Sequence, residues 1–132
     1  MASQPASQRT AYQALGGRSA IERIVNRFYD LMDQEPAYAE LRALHAADLA
    51  PMRESLAGFL TGWSGGPRDW FEANPGKCMM SAHRGIPVDA RTARQWADAM
   101  RRAIEDCPPE DPRVGQAMAQ VLDDIALGMA RD

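Results

Sequence analysis

Cysteine is scarce in this chain: Cys78 and Cys107 are its only two. Two thiols cannot build the disulfide framework of a small secreted domain, and a reducing compartment keeps them apart, so a Cys78–Cys107 bridge is not expected. Histidine is as rare. His45 and His83 stand in no zinc-ligand spacing with the cysteines, which argues against a structural zinc site. Lysine is nearly missing, Lys77 being the only one among 15 basic residues, a bias of composition to which we attach no functional weight. Positive charge is not in excess either; the net charge is −3, which removes the electrostatic reason to approach nucleic acid or an anionic membrane. No run of apolar residues is long enough to span a bilayer, and the opening MASQPASQRTAYQALGG lacks the apolar core of a secretory signal. These absences predict a cytoplasmic protein whose partner is small or is another protein. No Gly-rich phosphate loop, nucleophile–base pair or outstanding carboxylate pair stands in the chain, and Asp123-Asp124 and Arg101-Arg102 read as solvated faces.

What is present is helical periodicity. At 132 residues, 45% of them hydrophobic, the chain suits one domain that buries about two-thirds of its unfolded surface. Residues 1–9 are small and polar and are expected to be disordered, leaving 10–132 as the domain. Tyr12 to Leu15 forms a short apolar turn ended by Gly16 and Gly17. Ser19 with Glu22 has the form of a capping box, opening a helix whose buried face is Ile21, Ile24, Val25, Phe28, Leu31 and Met32, with Tyr29 at its edge. Pro36 ends it, and Ala37 to Leu44 is a short helical link with His45 at its exit. Asp48 can cap the next helix, whose face is Leu49, Met52, Leu56, Phe59, Leu60 and Trp63 and which Gly65-Gly66-Pro67 closes.

From Pro67 to Ile86 no period is sustained, so a long loop is expected there, with at most a turn or two of helix around Cys78 to Ala82. Asp89 caps a helix with Ala93, Trp96, Ala97, Met100 and Ile104 inward, ended by Pro108-Pro109. Asp111-Pro112 opens the last, which turns Val114, Met118, Val121, Leu122, Ile125 and Met129 to the core. No convincing strand appears, and the fold class is all-α. A structureless stretch of about twenty residues in so short a domain marks a functional or disordered segment.

His83 stands in that stretch with Met79, Met80 and Ile86 nearby. Taken alone it is either a half-buried histidine bonded to backbone or a ligand. Tyr29, His45 and Trp96 are polar-tipped residues on otherwise apolar surfaces, and a buried tyrosine O–H or tryptophan N–H needs an acceptor. Three such groups converging on one cavity would call for a ligand that accepts hydrogen bonds. Each has an ordinary alternative: Tyr29 turned to solvent, Trp96 as plain core, His45 at a helix end. The eight methionines fit as fillers of an irregular core.

Four pieces in a fixed order carry a resemblance: YQALGG with a following helix that ends RFYDLM, then FLTGWSGGP, then AHRGIPV, then RQWADAM, whose Trp96 follows His83 by thirteen positions. From about Thr10 to Met129 the chain resembles the truncated haemoglobins of the second group. That resemblance implies a shortened globin, a two-over-two helical sandwich around haem b with a proximal segment that is mostly loop, in agreement with the aperiodic stretch ahead of Asp89. Matched motif by motif, it makes His83 the proximal iron ligand, Tyr29 the distal tyrosine and Trp96 the distal tryptophan of this group. His45 falls where the family has a further polar residue. Met52, Leu56 and Phe59 line the distal helix, Met52 standing where many globins have a distal histidine, and Trp63 with Trp70 or Phe71 packs near the haem edge. The chain departs from the family around the proximal histidine, where Ala82 replaces a basic residue and Arg84-Gly85-Ile86 replaces a proline–phenylalanine pair, leaving Lys77 and Arg84 as the candidates for the propionates.

The implied function is reversible binding of O2, CO and NO at a His83-ligated iron. Donors from Tyr29, Trp96 and His45 would slow O2 escape, which suits ligand sensing or redox chemistry on O2, NO or peroxide better than bulk oxygen transport. NO dioxygenase and peroxidase-like activities stay open, as do an unidentified reductase and a monomeric or homodimeric state. Three rival readings remain: iron closed at its sixth position by His45 or Tyr29, a carrier of flavin or porphyrin without redox chemistry, and a cofactor-free helical interaction module.

Overall fold

The computed structural model describes residues 9–76 and 86–130. Expectations that fall on residues 1–8, Lys77, Cys78, Met80, His83 and Arg84 lie outside the described residues. Among the described residues the chain is helical and contains no strand, and no helix is long and apolar enough to cross a membrane.

Helix α1 (Ala11–Leu15) is short but capped at both ends. Thr10 Oγ1 accepts the Gln13 N–H while the Gln13 side chain accepts the Thr10 N–H, and Gly16 ends the helix at φ 110°, a conformation that costs a glycine little. Helix α2 (Gly17–Gln34) follows at once. Its start corrects the expectation at Ser19: the N-cap is Gly16, no side chain caps it, and Glu22 is paired with Arg18 at 2.9 Å on the outer face. Ser19 and Glu22 match the capping pattern but sit inside the helix, because the Gly16 turn and the bond from the Arg18 N–H to the Tyr12 hydroxyl set the entry point earlier. The buried face is as the spacing predicts, except that Tyr29 lies within it at 5% exposure and not at its edge.

Pro36 ends α2, and a 3₁₀ turn (Pro36–Tyr38) leads into α3 (Ala39–Ala43). Helix α4 (Ala50–Trp63) starts where Asp48 Oδ1 accepts the Ala50 N–H at 3.0 Å. Helix α5 (Asp69–Ala73) lies in what the aperiodic sequence predicts to be loop. Five residues are too few to be helical by propensity, so packing must hold them. The notch that receives them is glycine: a Cβ at Gly58 would stand 3.0 Å from Trp70, and one at Gly62 would stand 2.6 Å from the Phe71 ring.

Helix α6 (Ala90–Asp106) is opened by Asp89, whose carboxylate accepts the Thr92 N–H at 2.8 Å, and α7 (Pro112–Gly128) by Asp111, which accepts the Arg113 N–H at 3.0 Å. These bonds hold both aspartates below the usual carboxylate range. The α6 face carries Ala93, Ala97, Ala99 and Ala103, all buried, so a neighbouring helix can come close. On α7, Val121 was expected inside and is 44% exposed: Met118, Leu122 and Ala126 form the i, i+4 stripe that faces the core, and Val121, one position off it, turns outward. Met52 and Trp63 are likewise at the margin of the α4 face, each 37% exposed.

The helices pair as α2 with α4 and α6 with α7, and α2 laid on α6 joins the two pairs. Helix α1 closes one end, its Tyr12 N–H on the Ser64 carbonyl at 2.9 Å and its Ala14 carbonyl on the Asp111 N–H at 3.0 Å. Leu15, Ile24, Phe28, Leu60 and Leu122 are at or below 1% exposure, each such burial contributing about 1.5–3 kcal/mol. The glycine notch is testable. Gly62→Ala should lose about 1–3 kcal/mol in urea unfolding through overpacking against Phe71, whereas Gly128→Ala, with nothing within 4 Å, should be neutral or slightly stabilising; equal effects would show that the notch does not hold α5.

Candidate functional site

The two helix pairs enclose a cavity of about 200 Å3, walled by α2, α3, α4, α5, α6 and α7 and by the segment leading into α6. Tyr29, His45, Met52, Leu56, Phe59, Trp70, Ile86 and Trp96 all line it. They come from places far apart in the sequence, and the fold brings them to one space. Trp63, which the resemblance put near the haem edge, does not line the cavity; it stacks on the outer side of Phe59 with the rings nearly parallel, 15° apart. Phe71 is also outside the lining and packs on Phe59 at 5.5 Å.

The sequence reading missed other walls. Leu122, Ile125 and Ala126 of α7, with Met129 just past its end, form one of them, and their apolar period carries no sign that it faces a cavity. Leu41 and Leu44 line the side next to His45. Ser55 was not singled out at all; its hydroxyl oxygen accepts the Trp70 indole N–H at 3.0 Å and fastens α5 to α4 beside the cavity.

Three polar tips stand in this apolar lining. Tyr29 comes from α2, with the Phe28 ring edge-on at 4.9 Å and the Arg53 guanidinium 5.8 Å above its own ring. Arg53 is held by Asp30 at 2.8 Å and by the Asn26 carbonyl at 3.0 Å, which ties α4 to α2 directly over the tyrosine. Burial pushes the Tyr29 phenol well above its ordinary range, the nearby Arg53 charge opposing only in part, so Tyr29 is a neutral hydrogen-bond donor at any physiological pH. Trp96 comes from α6, its ring 5.1 Å from Phe28. Among the described residues neither the Tyr29 hydroxyl nor the Trp96 indole N–H has a protein acceptor. Both donors line the same apolar cavity, where an acceptor could join them; no buried side-chain nitrogen or oxygen among the described residues lacks a partner, so neither donor is sealed off unsatisfied.

His45 is the third tip. Its Nδ1 lies 2.9 Å from the Leu41 carbonyl oxygen, which can only accept, so Nδ1 carries the proton and the lone pair of the neutral ring is on Nε2. The ring stands edge-on to Tyr29 with centroids 6.1 Å apart. Arg42 steadies the loop beyond it, donating to the Ala46 and Ala47 carbonyls at 2.9 Å each and pairing with Asp33 of α2 at 2.9 Å.

The family model for bacterial-like globins matches residues 10–130. The chain belongs to the bacterial-like globins. Solved structures agree over nearly its whole length. This globin is 28% identical to the group II 2-on-2 hemoglobin of Agrobacterium tumefaciens, with a TM-score of 0.89 over 99% of this chain and 98% of that one. It is 26% identical to the cold-adapted truncated hemoglobin of the Antarctic marine bacterium Pseudoalteromonas haloplanktis, TM-score 0.88, over 94% and 99% of the two chains. It is 27% identical to a thermostable hemoglobin of the actinobacterium Thermobifida fusca, TM-score 0.82, over 93% and 98%. No curated protein sequence matches the chain. Within its family it is a truncated globin of the second group, a two-over-two sandwich, and its cofactor is haem b. The described walls suit that group: α4 and α7 offer apolar surfaces to a flat macrocycle, and Tyr29 and Trp96 bring hydrogen-bond donors to the same cavity.

The buried phenol links the site to stability. A folded-state value raised above the ordinary 10 means that the neutral form's stabilisation is fully present below pH 10 and is lost as pH rises further. Unfolding free energy should therefore fall above about pH 10 and fall less steeply in Tyr29→Phe; Tyr38, also raised by burial and by its bond to Asp98, retains its share in both proteins. Identical slopes would mean that Tyr29 meets solvent.

Proposed function

We propose that this globin holds haem through His83 and retains a diatomic gas with hydrogen bonds from Tyr29 and Trp96, for ligand sensing or redox chemistry on O2, NO or peroxide. The supporting observation is a pair of donors, Tyr29 and Trp96, that line one apolar cavity and have no acceptor among the described residues. Haem, when bound, supplies the ferrous iron that coordinates the gas. The chain supplies the rest. Tyr29 stays protonated and donates, Trp96 donates from the opposite helix pair, and the Leu56 and Phe59 side chains keep the surroundings apolar, which strengthens both bonds.

Each net hydrogen bond contributes roughly 0.5–1.5 kcal/mol, and about 1.4 kcal/mol is tenfold in an equilibrium constant, so two donors slow O2 release by about one to two orders of magnitude. Retention on that scale works against bulk oxygen delivery. NO dioxygenase and peroxidase-like turnover, each with a reductase to restore the ferrous state, are the activities the arrangement suits. Lys77 and Arg84 are the residues we assign to the propionates, and Met80 and Ile86 to the surroundings of His83. We place the protein in the cytoplasm, as a monomer or homodimer.

A second reading rests on the His45 tautomer. With Nδ1–H on the Leu41 carbonyl, Nε2 has the lone pair of a metal ligand, and His45 could close the sixth position of the ferric iron. A purely high-spin ferric spectrum would remove it.

Absorption spectra of the purified protein, ferric and then reduced with and without CO, should show a Soret band that shifts with CO and is lost or strongly altered in His83→Ala. Trp96→Phe should quicken O2 dissociation by about tenfold, measured by stopped-flow displacement with CO. A rate that does not change would take Trp96 out of the mechanism.

A further inference from the structure

We propose that Gln95, the residue before Trp96, is a positioning residue for His45, acting through Leu41. The inference rests on the placement of His45 in the gas-binding cavity argued above. Helix α3 has five residues, and the N–H groups of its first turn have no carbonyl partner within the helix. Leu41 is the third residue, and its N–H donates to Gln95 Oε1 on α6 at 3.0 Å. The Leu41 carbonyl, at the other end of the same residue, accepts the His45 Nδ1–H at 2.9 Å. Leu41 itself is 3% exposed and lines the cavity. One residue is thus clamped at its N–H by the helix that carries Trp96 and at its carbonyl by the imidazole.

The consequence is chemical as well as geometric. A helix this short has little stability of its own, so beyond the Leu44 N–H that the Leu41 carbonyl accepts at 3.1 Å, the direction of that carbonyl depends on what holds the residue from outside. That carbonyl, which can only accept, favours the Nδ1–H tautomer of His45. Gln95 is half-buried, and its bond to Leu41 is shielded from competing water. The same side chain spaces the two cavity residues: Trp96 is its neighbour on α6, and His45 is four positions beyond the residue it grips. Tyr38 and Asp98 bind the start of the link to α6 but reach no part of the imidazole's own hydrogen bond. Replacing Gln95 should therefore move His45 without touching the cavity directly.

The test uses the holoprotein in its ferrous CO form with 15N-labelled histidine. The chain has two histidines, so His45→Leu assigns the signals. Gln95→Met keeps length and apolar packing but has no acceptor; Gln95→Glu keeps an acceptor. Wild type and Gln95→Glu should show His45 with its proton on Nδ1, and Gln95→Met should lower the ratio of the Nδ1–H to the Nε2–H form by about threefold or more. Gln95→Met should also change O2 dissociation by about two- to tenfold, Gln95→Glu by less than about twofold, and Gln95→Met should add nothing in the His45→Leu background. Should Gln95→Met not fold, Gln95→Asn, whose amide is one methylene too short, makes the same comparison. A wild-type tautomer in the acceptor-less variant, or the same rate change without His45, would overturn the proposal. A chain that takes up no haem would overturn the gas-binding reading instead, while the tautomer comparison still decides the role of Gln95.

Discussion

The contact on which the site depends is that of Phe28 with the two rings beside it. Fully buried where α2 lies on α6, it meets Tyr29 edge-on at 4.9 Å and Trp96 edge-on at 5.1 Å. Edge-to-face pairs of this kind contribute about 0.5–1.5 kcal/mol beyond their buried area and restrict the angle of each ring. Tyr29 and Trp96 belong to different helix pairs, so a single phenylalanine at the crossing sets their relation. The alanine face of α6 is what lets α2 come near enough for it to do so.

Around that apolar centre the polar framework is peripheral and directional. Arg53 ties α4 to α2 above Tyr29, Arg42 ties the His45 loop to Asp33, and the buried Tyr38 hydroxyl donates to Asp98 and accepts from Arg102. As exposed or half-exposed ion pairs, those of Arg53 and Arg42 contribute little to stability, about 0–1 kcal/mol each. Their effect is to give short segments a unique position. Residues 36–49 contain one helix of five residues and one 3₁₀ turn, and without such anchors the segment would not hold an imidazole at a fixed angle. The cavity thus combines strong apolar packing with weak polar bonds placed where the backbone has least regularity.

Where the sequence was misread, each case has a local cause. Helix α5 escapes a local reading because its order comes from Gly58 and Gly62, twelve and nine residues ahead of the aromatic rings that they admit, and no period within Asp69–Ala73 records that. Ser19 and Glu22 satisfy a pattern that the turn at Gly16, three residues before Ser19, makes redundant. Val121 and Trp63 were counted inward because apolar residues at helical spacing look alike at the centre and the margin of a face. Ser55 gave no signal, since a serine on an exposed helix face becomes meaningful only when the indole of Trp70 is above it.

By itself the sequence determined the all-α class, the starts of α6 and α7 and the identity of the polar-tipped residues, because caps, prolines and helical periodicity are local properties that a short window contains. The order of its motifs also carried the family, with which the match over residues 10–130 agrees. Only the tertiary structure decided which of those residues face one another. That Tyr29 and Trp96 share a cavity and that α7 walls it follow from how helices cross, and crossing is set by the summed shapes of faces far apart in the chain. The proton on His45 Nδ1 is of the same kind: no sequence window names the carbonyl that holds it, and the fold does.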